Sequence, residues 1–224
     1  MYCGSFTKDD SIRGKTAALS LFILGITYII VLIVGLLSLN SKLEPIQDPF
    51  FSIMEILIIV MAPLMVVLMV EVHAYSGNDV KTLSLTALVF MCFAACITCS
   101  IHFLVLSISR QIESITALAW LPYIFSFKWP SVIYALDILA WDLFFSLSML
   151  FAAPVFRGDR LQTTVRICLQ ASGILSLAGL IGPILGDMQI RMIGVVGFAG
   201  VFPVACLLLA KVFDRSDCQE YTGS

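Results

Sequence analysis

The sequence predicts an all-α membrane protein, a bundle of about six transmembrane helices. Of its 224 residues, 60% are hydrophobic and only 12% are charged, whereas soluble domains carry about 25% charged residues. A helix needs about 20 apolar residues to cross the hydrocarbon core of a bilayer. Six apolar runs of that length lie near 17–39, 50–73, 82–108, 130–154, 162–186 and 192–213. Alternating apolar and polar residues, which a membrane β-barrel requires, do not occur in these runs.

The breaks between the runs are short or polar, and no internal repeat divides the chain, so we expect one membrane domain over 1–224. The longest break, 109–129, mixes charged residues with Trp120, Tyr123 and Trp129. Tryptophan and tyrosine favour the headgroup layer of a membrane. The segment is therefore expected to lie along the non-cytoplasmic surface as an interfacial or re-entrant piece, or to form a lid or portal over the helices.

The basic residues predict the orientation of the chain. Alternate sides of the six runs collect nine Lys and Arg residues on one side and four, Lys42, Arg110, Lys128 and Arg191, on the other. The positive-inside rule then places both termini in the cytoplasm. Which cellular membrane holds the protein, endomembrane or plasma membrane, does not follow from the sequence.

Several classes of function receive no support. The net charge is −2 and the basic residues are scattered, so no nucleic-acid partner is expected. With two histidines and no HExxH motif, the sequence predicts no zinc site. It also lacks the aspartate-rich run that diphosphate-ionising enzymes use for magnesium, and no cofactor motif is present. We expect neither a metal nor a cofactor.

Four carboxylates inside the apolar runs are the most informative residues: Glu55, Glu71, Asp137 and Asp142. An acid at the centre of a membrane helix costs roughly 2.5 to 3.5 kcal/mol, so a partner, a proton or a wet cavity must offset it. Glu71 lies near the cytoplasmic end of its run, where snorkelling or pairing with Lys81 is expected, and the nearby His73 is expected to be interfacial.

The other acids share a depth with a histidine. At ~1.5 Å per residue, Glu55, His102 and Asp137 lie roughly 8, 9 and 10 Å below the non-cytoplasmic boundary, and Asp142 lies about 18 Å in. These four residues are the predicted catalytic groups. On an ideal helix Asp142 points about 140° away from Asp137. Both can then line one interior only if the cavity is wide or if each faces a different neighbour.

Removal from water disfavours the ionised form of a carboxylic acid, so a buried Glu or Asp can keep its proton and act as a Brønsted acid. A second acid, held by His102, would then accept a proton or stabilise positive charge. Aromatic faces attract cations. The predicted substrate-binding residues come from the fourth run: Trp141, Phe144, Phe145 and Ser148.

In size, helix content and an early Glu followed by later Asp residues, the chain resembles the small integral-membrane terpene cyclases of meroterpenoid pathways. The resemblance implies protonation of a prenyl alkene or terminal epoxide and cyclisation without metal or diphosphate loss. Glu55 would correspond in role to the early acid of that family, and Asp137 or Asp142 to the later one. The implied substrate is a lipophilic terpenoid.

Two other classes of function stay open. A proton- or cation-coupled transporter or sensor would use the same acids as a relay, and Pro63 and Pro183 could kink helices for gating. A non-catalytic accessory protein is the third alternative. On the fifth run, Gly179, Gly182 and Gly186 have the spacing of a close helix contact.

Overall fold

The computed structural model describes residues 6–39, 46–109, 123–127 and 129–221. This part of the chain is helical and contains no strand. Six of its helices are long and apolar enough to cross a membrane, which confirms the predicted fold class. We number them α1 (Lys8–Leu37), α2 (Phe50–Tyr75), α3 (Asn78–Ile108), α4 (Val132–Val155), α5 (Arg160–Leu185) and α6 (Met188–Arg215). The chain is therefore a multi-pass membrane protein in a lipid environment.

The helix α1 begins nine residues before the predicted apolar run at 17, because a capping box fixes its start. The Thr7 backbone N–H donates to Asp10 Oδ2 at 2.7 Å, and the Asp10 N–H donates to Thr7 Oγ1 at 3.3 Å. At ~1.5 Å per residue, 30 residues reach about 45 Å, longer than the hydrocarbon core. α1 is therefore longer than a perpendicular crossing of the hydrocarbon core requires.

The six helices form a ring. Each packs against the next in the chain, and α1 closes the ring against α6. At the closure Ser11 Oγ donates to the Phe213 carbonyl at 2.6 Å, and Lys15 Nζ donates to Asp214 at 2.5 Å. The start of α1 and the end of α6 consequently lie at the same end of the bundle. Which side of the membrane this end faces stays a prediction.

The interior between the two ends of the bundle is apolar and rich in methionine. Methionine is flexible and polarisable, so it fills irregular gaps between helices. The buried methionines of this core are Met61, Met65 and Met69 on α2, Met91 on α3 and Met149 on α4. This packing separates the polar groups at one end of the bundle from those at the other.

Three of the helices widen locally into π-helical turns, at Val105–Ser109 where α3 ends, at Leu139–Phe145 in α4 and at Val196–Val201 in α6. A π turn closes i to i+5 hydrogen bonds instead of i to i+4 and therefore changes which side chains share a face. The segment in α4 contains Asp142 and directly follows the turn that carries Asp137.

Most of the predicted interfacial segment 109–129 lies outside the described residues. Within the described part, Tyr123 is 64% exposed and Trp129 is 37% exposed. Phe125 and Phe127 pack against a small apolar cluster of Ile101, Val105 and Ile133. This part of the segment therefore covers the end of the bundle where α3 finishes and α4 begins.

Candidate functional site

The described structure brings Glu55, His102 and Asp137 together from three helices. His102 Nδ1 lies 2.7 Å from Glu55 Oε2, and its Nε2 lies 3.5 Å from Asp137 Oδ1. A ring placed between two carboxylates is best matched when both nitrogens carry hydrogen. The shared depth predicted for these three residues therefore corresponds to direct contact. Whether they are catalytic stays a prediction.

Arg191, at the start of α6, joins both aspartates. Its Nη2 donates to Asp137 Oδ2 and its Nε donates to Asp142 Oδ2, each at 3.2 Å. Its Nη1 donates to the Tyr134 hydroxyl at 3.0 Å, and its guanidinium carbon lies 4.8 Å from the centroid of the Tyr134 ring. The planar guanidinium, with donors on several sides, suits this branched arrangement.

We call Glu55, His102, Asp137, Arg191 and Asp142 the acid–base network. Its contacts run without a break from α2 through α3, α4 and α6. The five side chains are between 0% and 11% exposed, so the charges are removed from solvent. The Tyr28 side chain from α1 lies within electrostatic range of Glu55, Asp137 and Arg191. Each helix except α5 thus contributes a titratable or charged group to this region.

The π-helical turn explains how two aspartates five residues apart bind one arginine. The expectation that Asp142 points well away from Asp137 assumed α-helical geometry, and the structure corrects it. Leu139–Phe145 is π-helical, so part of the step from Asp137 to Asp142 turns less per residue than an α-helix does, and the angle between the two side chains is smaller than expected. Both carboxylates therefore reach Arg191 without a wide cavity between them.

Arg191 is the main functional candidate that the sequence interpretation missed. The predicted sixth run starts at 192 and leaves Arg191 outside the membrane span. This prediction is wrong, since α6 begins at Met188 and Arg191 is only 7% exposed. The turn before it is very short. Gly186, with φ 73°, ends α5, and the Asp187 side chain caps α6 by accepting from the Gln189 N–H at 2.9 Å. The Gly-Asp pair was the signal that could have located the helix start.

Aromatic rings cover the His102 side of the network. The Phe127 ring stacks on the His102 ring at 5.0 Å between centroids, and Tyr134 meets Phe127 edge-on at 6.2 Å. Trp129 in turn packs edge-on against Tyr134 at 6.4 Å. These rings come from the described part of the predicted lid segment and from the first turn of α4. They shield the imidazole and present π faces next to it.

The predicted substrate-binding residues separate into two groups. Trp141 and Phe145 lie beside Asp142 along the chain and pack against Phe198 of α6, with Trp141 and Phe198 centroids 5.0 Å apart. Phe144 instead stacks against Phe90 of α3 at 6.3 Å. Ser148 donates to the Ala87 carbonyl at 2.8 Å and is fully buried. Trp141 and Phe145 thus pack on α6, the helix that carries Arg191, whereas Phe144 and Ser148 contact α3.

The opposite end of the bundle holds a second buried acid. Glu71 Oε1 accepts from Arg13 Nε at 2.9 Å, and Arg13 also contacts Asp10. The predicted pairing of Glu71 with Lys81 is wrong, since Lys81 Nζ donates to the His73 carbonyl at 2.8 Å. His73 Nδ1 lies 2.8 Å from Ser84 Oγ. Arg13 is 56% exposed, so this pair meets solvent where the acid–base network does not.

Glu55 and Asp137 bind opposite nitrogens of one ring, so they do not converge on a common point. Within the described ranges, no three His, Cys, Asp or Glu side chains form a group that could hold a metal ion. The chemistry available to these residues is the storage and transfer of protons between carboxyl groups and an imidazole.

The fold and the site together define a multi-pass membrane protein with an ionisable network buried in its helix bundle. Comparison of the chain with protein-family models, curated proteins and solved structures gave no match.

Proposed function

We propose that the acid–base network is the active site of a membrane-embedded, metal-independent cyclase or isomerase that acts on a lipophilic terpenoid. The observation that carries the proposal is the convergence of Glu55, Asp137 and Asp142 on His102 and Arg191 in a region removed from solvent. A buried acid with a nearby counter-acid is the minimum that proton-initiated cyclisation requires.

The charge count supports the presence of a transferable proton. Three carboxyl groups face two groups that can be cationic, Arg191 and His102. With all five ionised the network carries one excess negative charge. A net charge buried in a membrane protein is costly, so neutrality favours retention of one carboxyl proton. That proton would be the one delivered to the substrate.

The proposed reaction conserves mass. The carboxyl proton adds to one carbon of an alkene, or to the oxygen of an epoxide whose C–O bond then breaks, and leaves a carbocation. A neighbouring double bond supplies the electron pair for the new ring C–C bond, which moves the positive charge onward. A carboxylate then removes a proton, and a double bond forms. The product is an isomer of the substrate, and the proton count of the protein is restored.

The surroundings of the network suit such an intermediate. Phe127 lies against His102 and Tyr134 lies against Arg191. Trp141 and Phe145 pack on Phe198 of α6. Aromatic faces attract a cation without reacting with it as water does. The apolar methionine-rich core lies between the network and the Arg13–Glu71 end of the bundle, so it keeps the solvent at that end away from the network.

Turnover of a defined substrate tests the proposal. The purified protein would be given a prenylated aromatic compound, plain or with a terminal epoxide, and the products examined for an isomer of unchanged mass. We expect that product from the wild type and its loss in Glu55→Gln or Asp137→Asn. Glu71→Gln is the matched control, because it changes a buried acid outside the network. An unreactive wild type across this substrate class would refute the proposal.

A proton-coupled carrier is the second candidate, and the Arg13–Glu71 pair favours it. Glu71 lies on the same helix as Glu55 but at the opposite end, so α2 bears one buried acid toward each face of the bundle. A carrier needs proton sites reached from both sides. Proton flux in proteoliposomes that falls in both Glu55→Gln and Glu71→Gln, without any isomer formed, would favour this candidate over the cyclase.

A further inference from the structure

The two oxygens of the Asp142 carboxyl have different surroundings. Oδ2 accepts from Arg191 Nε at 3.2 Å. Oδ1 is buried and has no hydrogen-bond partner among the described residues. An ionised oxygen with no donor loses the full benefit of solvation, whereas a protonated oxygen carries no charge to stabilise. A proton on Asp142 is therefore favoured at Oδ1, while Oδ2 continues to accept from Arg191.

Glycines of two helices enclose that oxygen. A Cβ placed on Gly179 would lie 2.9 Å from Asp142 Oδ1, and a Cβ placed on Gly194 would lie closer still. The same added Cβ on Gly179 would be 2.9 Å from the Gly194 Cα, so α5 and α6 touch at this point. The absence of side chains lets the carboxyl oxygen enter the contact between the two helices, where water and stronger donors are kept out.

The other two acids are better supplied with donors. Asp137 Oδ2 accepts from Arg191, and its Oδ1 lies 3.5 Å from His102 Nε2, without a hydrogen bond but close to a ring that can carry charge. Glu55 Oε2 accepts from His102 at 2.7 Å, and its side chain is 4% exposed, whereas that of Asp142 is 0% exposed. Asp142 is thus the most buried acid of the network, and its Oδ1 is a fully buried carboxyl oxygen without a hydrogen-bond partner among the described residues.

We propose that Asp142 holds the spare proton of the acid–base network on Oδ1, in the slot between Gly179 and Gly194. Charged or titratable groups face this region from four other helices: Tyr28 on α1, Glu55 on α2, His102 on α3 and Arg191 on α6. Asp137 and Tyr134 belong to α4 itself. The assignment rests on the proposed function for its chemical use, but its test needs no substrate. Asp142 would be the proton store, and the glycines would be positioning residues.

Infrared spectroscopy of isotope-labelled protein tests the assignment. Protein purified in dodecyl maltoside, which contains no carbonyl group, would be recorded at neutral pH in the carbonyl stretching region of protonated carboxyl groups. We expect a band that moves to lower frequency when aspartate is labelled with ¹³C at its side-chain carboxyl. Labelling glutamate in the same way should leave it unmoved. A band that follows the glutamate label, or the absence of any such band, would overturn the proposal.

Two variants distinguish Asp142 from Asp137. Gly194→Ala crowds Asp142 Oδ1 and should change the band frequency. Gly200→Ala on the same helix should not, because its added Cβ comes no closer than 3.8 Å to a neighbour. Equal spectra for the two alanine variants would contradict the proposal.

If Gly194→Ala does not fold, Asp137→Glu decides the matter. The band should still follow the aspartate label, and a transfer to the glutamate label would assign the proton to position 137 instead. A labelled band without turnover would leave the proton site standing and refute only the cyclase. Turnover without that band would refute only the proton site.

Discussion

The helix α2 buries a glutamate near each end, and the two glutamates differ in the number and the solvent exposure of their partners. At one end Glu55 belongs to a network of five side chains, all of them at most 11% exposed. At the other end Glu71 has one cationic partner, Arg13, which is 56% exposed. The first glutamate depends on protein groups for its whole environment. The second shares its partner with water.

The two ends should therefore differ in how strongly the protonation of a carboxyl group affects the stability of the fold. An ion pair that meets solvent is screened and can be replaced by hydration when one partner is removed. A buried network has no such replacement, so every lost charge must be balanced by another charge or by a proton. We therefore expect substitutions at the two ends to differ most in their effect on the free energy of unfolding.

The largest effect is expected for Arg191→Met. It leaves Asp137 and Asp142 buried without their shared cation, and removal of one partner from a buried ion pair costs about 3 to 5 kcal/mol. The free energy of unfolding, measured by denaturation in detergent, should fall by that order or the variant should fail to fold. Arg13→Met is the control and should cost clearly less. An equal loss of stability in the two variants would show that the buried network and the solvent-exposed pair do not differ in this way.

A smaller loss is expected for Asp137→Asn. Asp137 accepts from Arg191 with Oδ2 and faces the His102 ring at 3.5 Å with Oδ1, so asparagine removes the negative charge between these two groups and weakens the bond to Arg191. Hydrogen bonds to charged groups contribute about 1.5 to 3 kcal/mol, and we expect a loss in this range in the same unfolding measurement. A variant as stable as the wild type would show that Asp137 is not held in its ionised form.

Part of this arrangement follows from the sequence alone. The six apolar runs gave the helices, and the depth of Glu55, His102 and Asp137 along their runs predicted that they could meet. Depth depends only on rise per residue, which is nearly constant in helices. Direction around a helix depends on local winding, so the π turn in α4 changed the predicted orientation of Asp142.

Arg191 shows the other reason for a missed prediction. An arginine within a few residues of a helix end can belong to a loop or to a membrane interior, and hydropathy does not separate the two. Here the Asp187 cap places Arg191 in the helix, because it starts α6 one turn before Arg191. Partner choice also depends on tertiary contacts, which placed Glu71 beside Arg13 of α1 although Lys81 is nearer in sequence.

Ser148→Ala tests whether Ser148 belongs to the site, and it should lower the stability of the protein only modestly. The Ser148 hydroxyl donates to the Ala87 carbonyl and joins α4 to α3. A buried hydrogen bond of this kind contributes about 1 kcal/mol, so we expect a loss of that size in the free energy of unfolding. Turnover of the terpenoid substrate should be unchanged. A loss of turnover without a loss of stability would instead support the substrate-binding role predicted from the sequence.

The smallest effect is expected for Asp142→Asn, although Asp142 is the most buried acid of the network. Asparagine has the shape of a protonated aspartic acid, and its carbonyl oxygen can still accept from Arg191 Nε. If Asp142 already holds the spare proton, the substitution removes no charge, and the free energy of unfolding should fall by less than about 1 kcal/mol, the contribution of one hydrogen bond. Turnover should nevertheless be lost, because the amide cannot deliver the proton. A loss of stability as large as that of Asp137→Asn would show that both aspartates are ionised and that the proton lies elsewhere in the network.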